Sequence, residues 1–349
     1  MPQVQVLPTT ERLLRRIDAM AGQPVAMLVD LVADVFITGT PKRISREAPV
    51  LILSYQGEKL MPGGGANAVA NVAALGGRPL PLGVVGDDPH GLGLLAELAA
   101  QGVTTEGVLV RHGYRTPTKV RILGGGKHSI KQQIVRYDIE ETLALTAADR
   151  DHFTRLLERW SGEARVAILS DYGYGAVEPA MLPQVRDALG ERTTVIADSR
   201  YRLGEFVGLD GATPNEEEAE AFLGAAIGDD PDRLEEAGSS LRERLGARFL
   251  LITRGSRGMS LFRPKFSAHL PVSGTDQVAD VTGAGDTVIG TFALALAAGA
   301  DPLEAALLAN YAGGIVVMKM GTATCSPEEL RRAVETDLRP LKELRWGWS

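Results

Sequence analysis

Apolar positions along this chain switch between two periods. Residues 25–32, 80–85, 166–170, 194–197 and 249–253 are short apolar runs of strand character. Between them lie stretches at helical spacing. Residues 66–75 stop at Gly76-Gly77, and residues 92–100 end at Gly102. Strands alternating with helices predict a mostly parallel sheet with helices on both faces. In such sheets ligands bind beyond the carboxyl ends of the strands. The polar residues just after the runs therefore carry the functional weight: Asp34, Asp87, Asp171, Asp198 and Asn215.

Two stretches, residues 37–60 and 114–139, lack helical period. In the second, Val120 and Ile122, and later Ile130 and Ile134, alternate with polar residues around a glycine turn at 124–126. That pattern predicts a hairpin with one wet face. Together the two stretches predict a small antiparallel sheet projecting from the core. No linker or solenoid repeat divides the chain, so residues 1–349 read as one domain. Its core covers about 22–36, 61–113 and 140–340, and the lid insertions cover about 37–60 and 114–139.

Composition narrows the class. Hydrophobic residues make up 44% and charged residues 23%, the ordinary globular range. A net charge of −7 argues against broad nucleic-acid binding, which leaves a basic footprint. A local basic patch for a small phosphorylated ligand stays open. Cys325 is the single cysteine, which excludes an intramolecular disulfide and a cysteine-rich zinc site. The first sixteen residues lack the apolar centre of a signal peptide, and the longest apolar run, residues 288–300, is too short to span a bilayer. We expect a soluble, cytoplasmic protein with neither nucleic-acid nor membrane partners.

The most informative segment is Asp280-Val-Thr-Gly-Ala-Gly-Asp286, followed by a long apolar stretch of helical character. Gly283, Ala284 and Gly285 then sit at a helix N-terminus, where free N–H groups and the helix dipole form an anion site. Asp286 falls in the first turn. An anion hole beside a carboxylate suits phosphoryl transfer to a hydroxyl, with the carboxylate taking the proton. A glycine-rich cap whose Asp favours the dipole fits the same spacing.

The segment resembles the C-terminal signature of the PfkB (ribokinase-like) carbohydrate kinases. Three further segments stand in that family's order: Pro62-Gly-Gly-Gly-Ala-Asn67-Ala-Val-Ala-Asn71, Asn215-Glu-Glu-Glu218 and Thr253-Arg-Gly-Ser-Arg-Gly258. The match runs from about residue 25 to 335. A narrower resemblance is to the D-glycero-β-D-manno-heptose-7-phosphate kinases. It is carried by Arg43-Ile-Ser-Arg-Glu-Ala-Pro-Val50, Leu169-Ser-Asp-Tyr-Gly173, Ile252-Thr-Arg254 with Gly258-Met259, and Lys319-Met-Gly-Thr-Ala-Thr-Cys-Ser-Pro327. Those kinases are often fused to an adenylyltransferase domain. This chain has no H-x-G-H-like motif, so a second activity is not expected. Three departures bear on the substrate. Tyr174 stands where those kinases have Lys, Asp198-Ser-Arg200 where they have Asp-Pro-Lys, and the glycine before Asp30 is missing.

The resemblance implies a ribokinase-like α/β fold with a β lid, ATP and Mg²⁺ as cofactors, and leaves a monovalent cation open. It implies Asp286 as base and Gly283, Ala284 and Gly285 as anion hole. It sets Asp34, Gly63, Gly64, Gly65, Asn67 and Asp171 toward the sugar; short amides and carboxylates suit a polyol. Asn215 and Glu218 would hold Mg²⁺ through its waters. Their spacing equally fits a helix capping box, and only the family pattern favours the metal. Thr253, Gly255, Gly258 and Asn310 would surround the nucleotide. Lys119, Arg121 and Arg136 on the hairpin are candidates for a substrate phosphate. An exposed apolar lid face would make a homodimer through paired lids.

Several lookalikes fail. Gly63-x-Gly-x-x-Ala68 and Gly91-x-Gly-x-x-Ala96 imitate a dinucleotide fingerprint, but neither follows a clear strand. Lys127 follows glycines, but His128 stands where a phosphate loop needs Ser or Thr. The expected activity is transfer of the γ-phosphoryl of ATP to a sugar hydroxyl, with a heptose 7-phosphate as acceptor. The alternatives are ribose, fructose or a nucleoside as acceptor, or a non-catalytic sugar- or nucleotide-binding protein.

Overall fold

The computed structural model describes residues 7–126, 131–274 and 278–347. In chain order the strands are β1 (Pro24–Val29), β2 (Leu31–Ile44), β3 (Leu51–Gly64), β4 (Arg78–Gly86), β5 (Val108–Arg111), β6 (Thr118–Gly124), β7 (Gln132–Ile139), β8 (Val166–Asp171), β9 (Thr194–Ser199), β10 (Gly211–Ala212), β11 (Phe249–Thr253), β12 (Met259–Arg263), β13 (Phe266–Leu270) and β14 (Arg345–Gly347). The main helices are α1 (Thr10–Ala19), α2 (Gly65–Ala74), α3 (Pro89–Ala100), α4 (Ala147–Trp160), α5 (Leu182–Leu189), α6 (Glu216–Leu223), α7 (Pro231–Arg244), α8 (Ala284–Ala297), α9 (Pro302–Val316) and α10 (Pro327–Thr336).

Ten strands form one sheet in the order β14-β13-β12-β11-β10-β9-β8-β1-β4-β5. From β5 to β11 neighbours are parallel. The end from β11 to β14 is antiparallel, which the apolar pattern did not suggest. Four strands form the lid, in the order β3-β2-β6-β7. Its two hairpins are antiparallel, and they join through a parallel β2–β6 pairing. The proposed Lys127-His128 comparison and Ile130 lie outside the described residues.

α8 and α9 are buried on nearly every side, because α2, the sheet and each other cover them. That explains the apolar run without a membrane. Each fully buried Leu or Phe there contributes about 1.5–3 kcal/mol of transfer free energy. Among the described residues no helix is long and apolar enough to cross a membrane.

The first strand stops earlier than its apolar run. Asp30 ends it: its N–H donates to the Ser170 carbonyl, and its carboxylate accepts the N–H groups of Tyr172, Tyr174 and Ala176. The chain then turns into β2, so Asp34 rides on the lid sheet rather than on a core loop. The glycine run 63–65 does follow a strand, β3, but a lid strand entering α2 rather than a core strand of a βαβ unit.

Candidate active site

α8 begins at Gly283, whose backbone is left-handed at φ 77°. A Cβ there would sit 2.3 Å from Asn67 Nδ2, so glycine is required twice over. The Ala284 N–H donates to the Val281 carbonyl at 3.2 Å. The N–H groups of Gly285 and Asp286 have no carbonyl partner among the described residues. The Gly283 N–H has none either, so of the three groups the sequence implied Gly283 and Gly285 stay open, Ala284 does not, and Asp286 joins them. A Cβ on Gly285 would meet nothing within 4 Å: it faces space a ligand can enter.

Segment 279–285 is the wall between two cavities. On one side lies an apolar cavity of about 380 Å³, lined by Val278, Val281, Ala284 and Gly285 together with Thr253, Gly255, Gly258 and Asn310. The four residues expected around a nucleotide thus converge beside the helix N-terminus. Asn310 Nδ2 also donates to the Pro271 carbonyl at 2.8 Å. On the other side a cavity of about 660 Å³ separates the wall from the lid, lined by Phe36, Lys59, Met61, Arg121, Lys131 and Thr282 among others.

Asp286 is buried under the wall. Asn67 Nδ2 donates to Oδ2 at 3.1 Å and the Tyr172 hydroxyl donates to Oδ1 at 2.5 Å. Burial pushes its carboxyl up to about 7, against the pull of these two bonds and of Lys119. Asn67 is held in turn: its second amide proton goes to the Gly283 carbonyl, and Asn71 Nδ2 donates to its Oδ1. Expected on the sugar, Asn67 here gives both of its amide protons to protein oxygens, those of Gly283 and Asp286.

The other expected sugar residues divide. Asp34 is buried on β2, packed over Gly63 and paired with Arg121 at 2.6 Å. Burial raises its carboxyl above the usual range, and Arg121 opposes that. Gly64 and Gly65 carry no side chain because Val32 and Val29 fill those positions. Asp171 turns away from a sugar role. Its carboxylate accepts from Arg202 at 2.6 Å, Ser199 at 2.7 Å and the Gly173 N–H at 3.0 Å, so it builds the loop after β8. Asp87, just after β4, binds His112 and the Gly113 N–H.

Lys119, Arg121 and Arg136 share one lid face, since Arg121 and Arg136 are cross-strand partners and Lys119 lies two residues from Arg121. Arg136 is not free for a phosphate as expected: its guanidinium forks onto Asp138 through Nε and Nη2. Lys119 Nζ stands 5.1 Å over the Tyr172 ring. Burial holds Lys119 below the usual lysine range, with Asp34 opposing.

Asn215 and Glu218 form a true capping box, each side chain accepting the other's backbone N–H at 2.8 and 2.9 Å. Asn215 also bridges to Thr253, which brings the box to the apolar cavity. Asp198 at the end of β9 and Glu218 both ionise with more difficulty than usual, through burial first and, for Asp198, through Glu218 next. Two carboxyls that resist ionisation together fit a cation held through water. No group of three ligating side chains stands close enough to bind a metal directly among the described residues.

The profile of the pfkB family carbohydrate kinases matches residues 27–329. The chain is 38% identical over 329 residues to the bifunctional protein HldE of Mesorhizobium japonicum, covering 94% of this chain and 65% of that protein. It is 40% identical over 316 residues to HldE of Azotobacter vinelandii, covering 90% of this chain and 64% of that one. The chain thus spans just under two thirds of the length of these curated relatives. In fold it is similar to phosphofructokinase-2 from Escherichia coli in complex with substrates and products, with TM-score 0.72, 17% identity and coverage of 90% and 98%. It is also similar to Arabidopsis thaliana ribokinase complexed with ribose and ATP, with TM-score 0.70, 21% identity and coverage of 90% and 99%.

Proposed function

The chain belongs to the pfkB family of carbohydrate kinases, and on that premise we propose that it transfers the γ-phosphoryl group of ATP to a hydroxyl of a phosphorylated sugar, a heptose 7-phosphate. The observation that carries the transfer is the buried Asp286 beside the open N–H groups at the head of α8, with a cavity on each side. ATP fits the apolar cavity, its base among Val278, Val281 and Val288 and its phosphates toward Gly285. The acceptor fits the lid side. Asp286 takes the proton of the attacking hydroxyl, and the Gly285 and Asp286 N–H groups stabilise charge on the phosphoryl group in transit. Glu218 would hold Mg²⁺ through water. Bound Mg²⁺ supplies neutralisation of the phosphate oxygens. The lid limits water access.

A phosphorylated acceptor is supported by the charge on the lid face. Lys119, Arg121 and Arg136 outnumber the carboxylates Asp34 and Asp138 on the lid face, and at the cavity Lys59 and Lys131 stand with Glu58 and Asp280, which leaves one cation in excess. A dianionic phosphate gives Lys59 and Lys131, which have no carboxylate partner among the described residues, charge-assisted partners. The heptose-kinase motifs and the likeness to HldE proteins support the heptose. The lid's outer face supports a homodimer: Tyr55 is 66% exposed, Tyr137 49% and Val135 47%.

The test is a phosphorylation screen with ATP and Mg²⁺ over mannoheptose 7-phosphate, sedoheptulose 7-phosphate, ribose and fructose. Preference for the heptose phosphate supports the reading. Better turnover of ribose or fructose rejects the phosphorylated acceptor and leaves the family activity intact.

A further inference from the structure

We infer that Tyr172 is a positioning residue for Asp286, steadying its carboxylate form through the hydroxyl, and that Asp30 anchors Tyr172 for this purpose. The inference rests on Asp286 being the base of the proposed transfer. Tyr172 stands in the Leu169–Gly173 motif without a role assigned from it, and Asp30 entered only through the glycine missing before it.

Three contacts fix the Tyr172 side chain. Its hydroxyl lies 2.5 Å from Asp286 Oδ1. Its ring lies against Gly64, where an added Cβ would come within 3.3 Å of Cε2. Lys119 from the lid stands over the ring at 5.1 Å. The backbone is fixed as well. Asp30 Oδ2 accepts the Tyr172 and Tyr174 N–H groups at 2.8 and 3.0 Å, and Oδ1 accepts that of Ala176 at 2.9 Å. The Asp30 carbonyl also accepts the Gly65 N–H at 3.1 Å, which ties the start of α2, and with it Asn67, to the same point. One buried residue, Asp30, thus ties both donors that reach Asp286: Tyr172 through its carboxylate, and Asn67 through its main-chain carbonyl.

The chemistry needs such donors. A base buried this deeply favours its neutral form, which cannot accept a proton. Two hydrogen bonds donated to the carboxylate oppose that, and those made to an ionised group are the strong kind. Each oxygen keeps lone-pair capacity for the acceptor hydroxyl, since Tyr172 occupies Oδ1 and Asn67 occupies Oδ2 once each. Tyr172 itself stays protonated, because burial first and Asp286 next raise its hydroxyl well above its usual value. The groups facing the base are Asn67 on α2, Tyr172 after β8, Lys119 on β6, Asp34 on β2 and Asp198 on β9. Among these, Lys119 favours the carboxylate, while Asp34 and Asp198 oppose it.

Tyr172→Phe removes the one oxygen and keeps the ring on Gly64. Asp286 in wild type and variant is titrated by ¹³C NMR of the carboxyl carbons, its signal identified by loss in Asp286→Asn. The kcat–pH profile is measured alongside. The expected result is a rise in the Asp286 midpoint of about one pH unit or more. The acid limb of kcat should follow, with roughly 5- to 10-fold loss near pH 6.5 and recovery to within about 2-fold near pH 9. KM for ATP should stay unchanged. Tyr174→Phe, whose hydroxyl meets Glu140 instead, should leave the acid limb where it is. A Tyr172→Phe protein with the wild-type melting temperature and an unmoved Asp286 midpoint would overturn the inference, even with lowered kcat. The carboxyl titration needs no turnover. If no sugar is phosphorylated, the functional reading fails while the Tyr172 inference is still decided.

Discussion

At the scale of single residues, Asp286 carries the most weight. Asp286→Asn keeps the shape and removes the basicity. We expect kcat to fall about 10²–10⁴-fold, the range for a general base, with melting temperature and nucleotide affinity retained. Calorimetry and steady-state kinetics check the two halves. The pH dependence follows from the raised carboxyl. With its midpoint near 7, the base is neutral below and ionised above. Activity should therefore climb as pH rises through about 7 and level off on the alkaline side. An acid limb near the usual carboxylate value of about 4 would contradict the buried environment. Asp286 and its glycines were legible in the sequence because helix start, glycines and carboxylate are neighbours in the chain. Tyr172 was not, because its partner lies 114 residues away and only packing brings them together. Asp171 and Asn67 were visible as polar residues in the right places. Their partners, Arg202 for Asp171 and Asp286 for Asn67, were not.

The elements around the site separate two uses of glycine. At Gly283 the positive φ and the nearby Asn67 amide forbid a side chain. Gly283→Ala should lower stability by roughly 1–3 kcal/mol, read by denaturant melting. At Gly285 the space beyond is open and borders the apolar cavity. Gly285→Leu should fold with a near-native melting temperature and raise KM for ATP at least ~10-fold, about 1.4 kcal/mol of lost binding. Equal losses of stability in both variants would argue that the cavity beside α8 is not the nucleotide site. The lid gives a parallel contrast. Arg136 is held by Asp138, whereas Lys59 and Lys131 stand at the cavity rim without a carboxylate partner among the described residues. Lys59→Ala with Lys131→Ala should raise KM for the phosphorylated acceptor about 10-fold and leave turnover of a plain sugar unchanged. The lid itself could be read from alternation. Its cross-strand pairs could not, because they depend on register and on the bulges in both hairpins.

For the whole molecule, the alternating pattern was enough to predict the parallel sheet, and the apolar stretch after Asp286 to predict α8; α9, buried against it, was not read. It missed the antiparallel end, where β12 and β13 are five residues each and β14 comes from the far C-terminal region. The outer lid face, with Ile44 and Tyr55 each 66% exposed, is the surface through which two copies should pair. Light scattering should give twice the chain mass, and Tyr55→Glu with Val135→Lys should shift it to the monomer. A wild-type monomer at high concentration would reject the pairing. The most direct test of the central claim follows phosphoryl transfer by ³¹P NMR, with ATP, Mg²⁺ and mannoheptose 7-phosphate, in wild type and Asp286→Asn. The expected result is one ADP per new sugar phosphate ester in the wild type, and about 10²–10⁴-fold slower formation of both in the variant. Wild-type protein that binds ATP yet phosphorylates no sugar, or an Asp286→Asn protein of near-native rate, would contradict it.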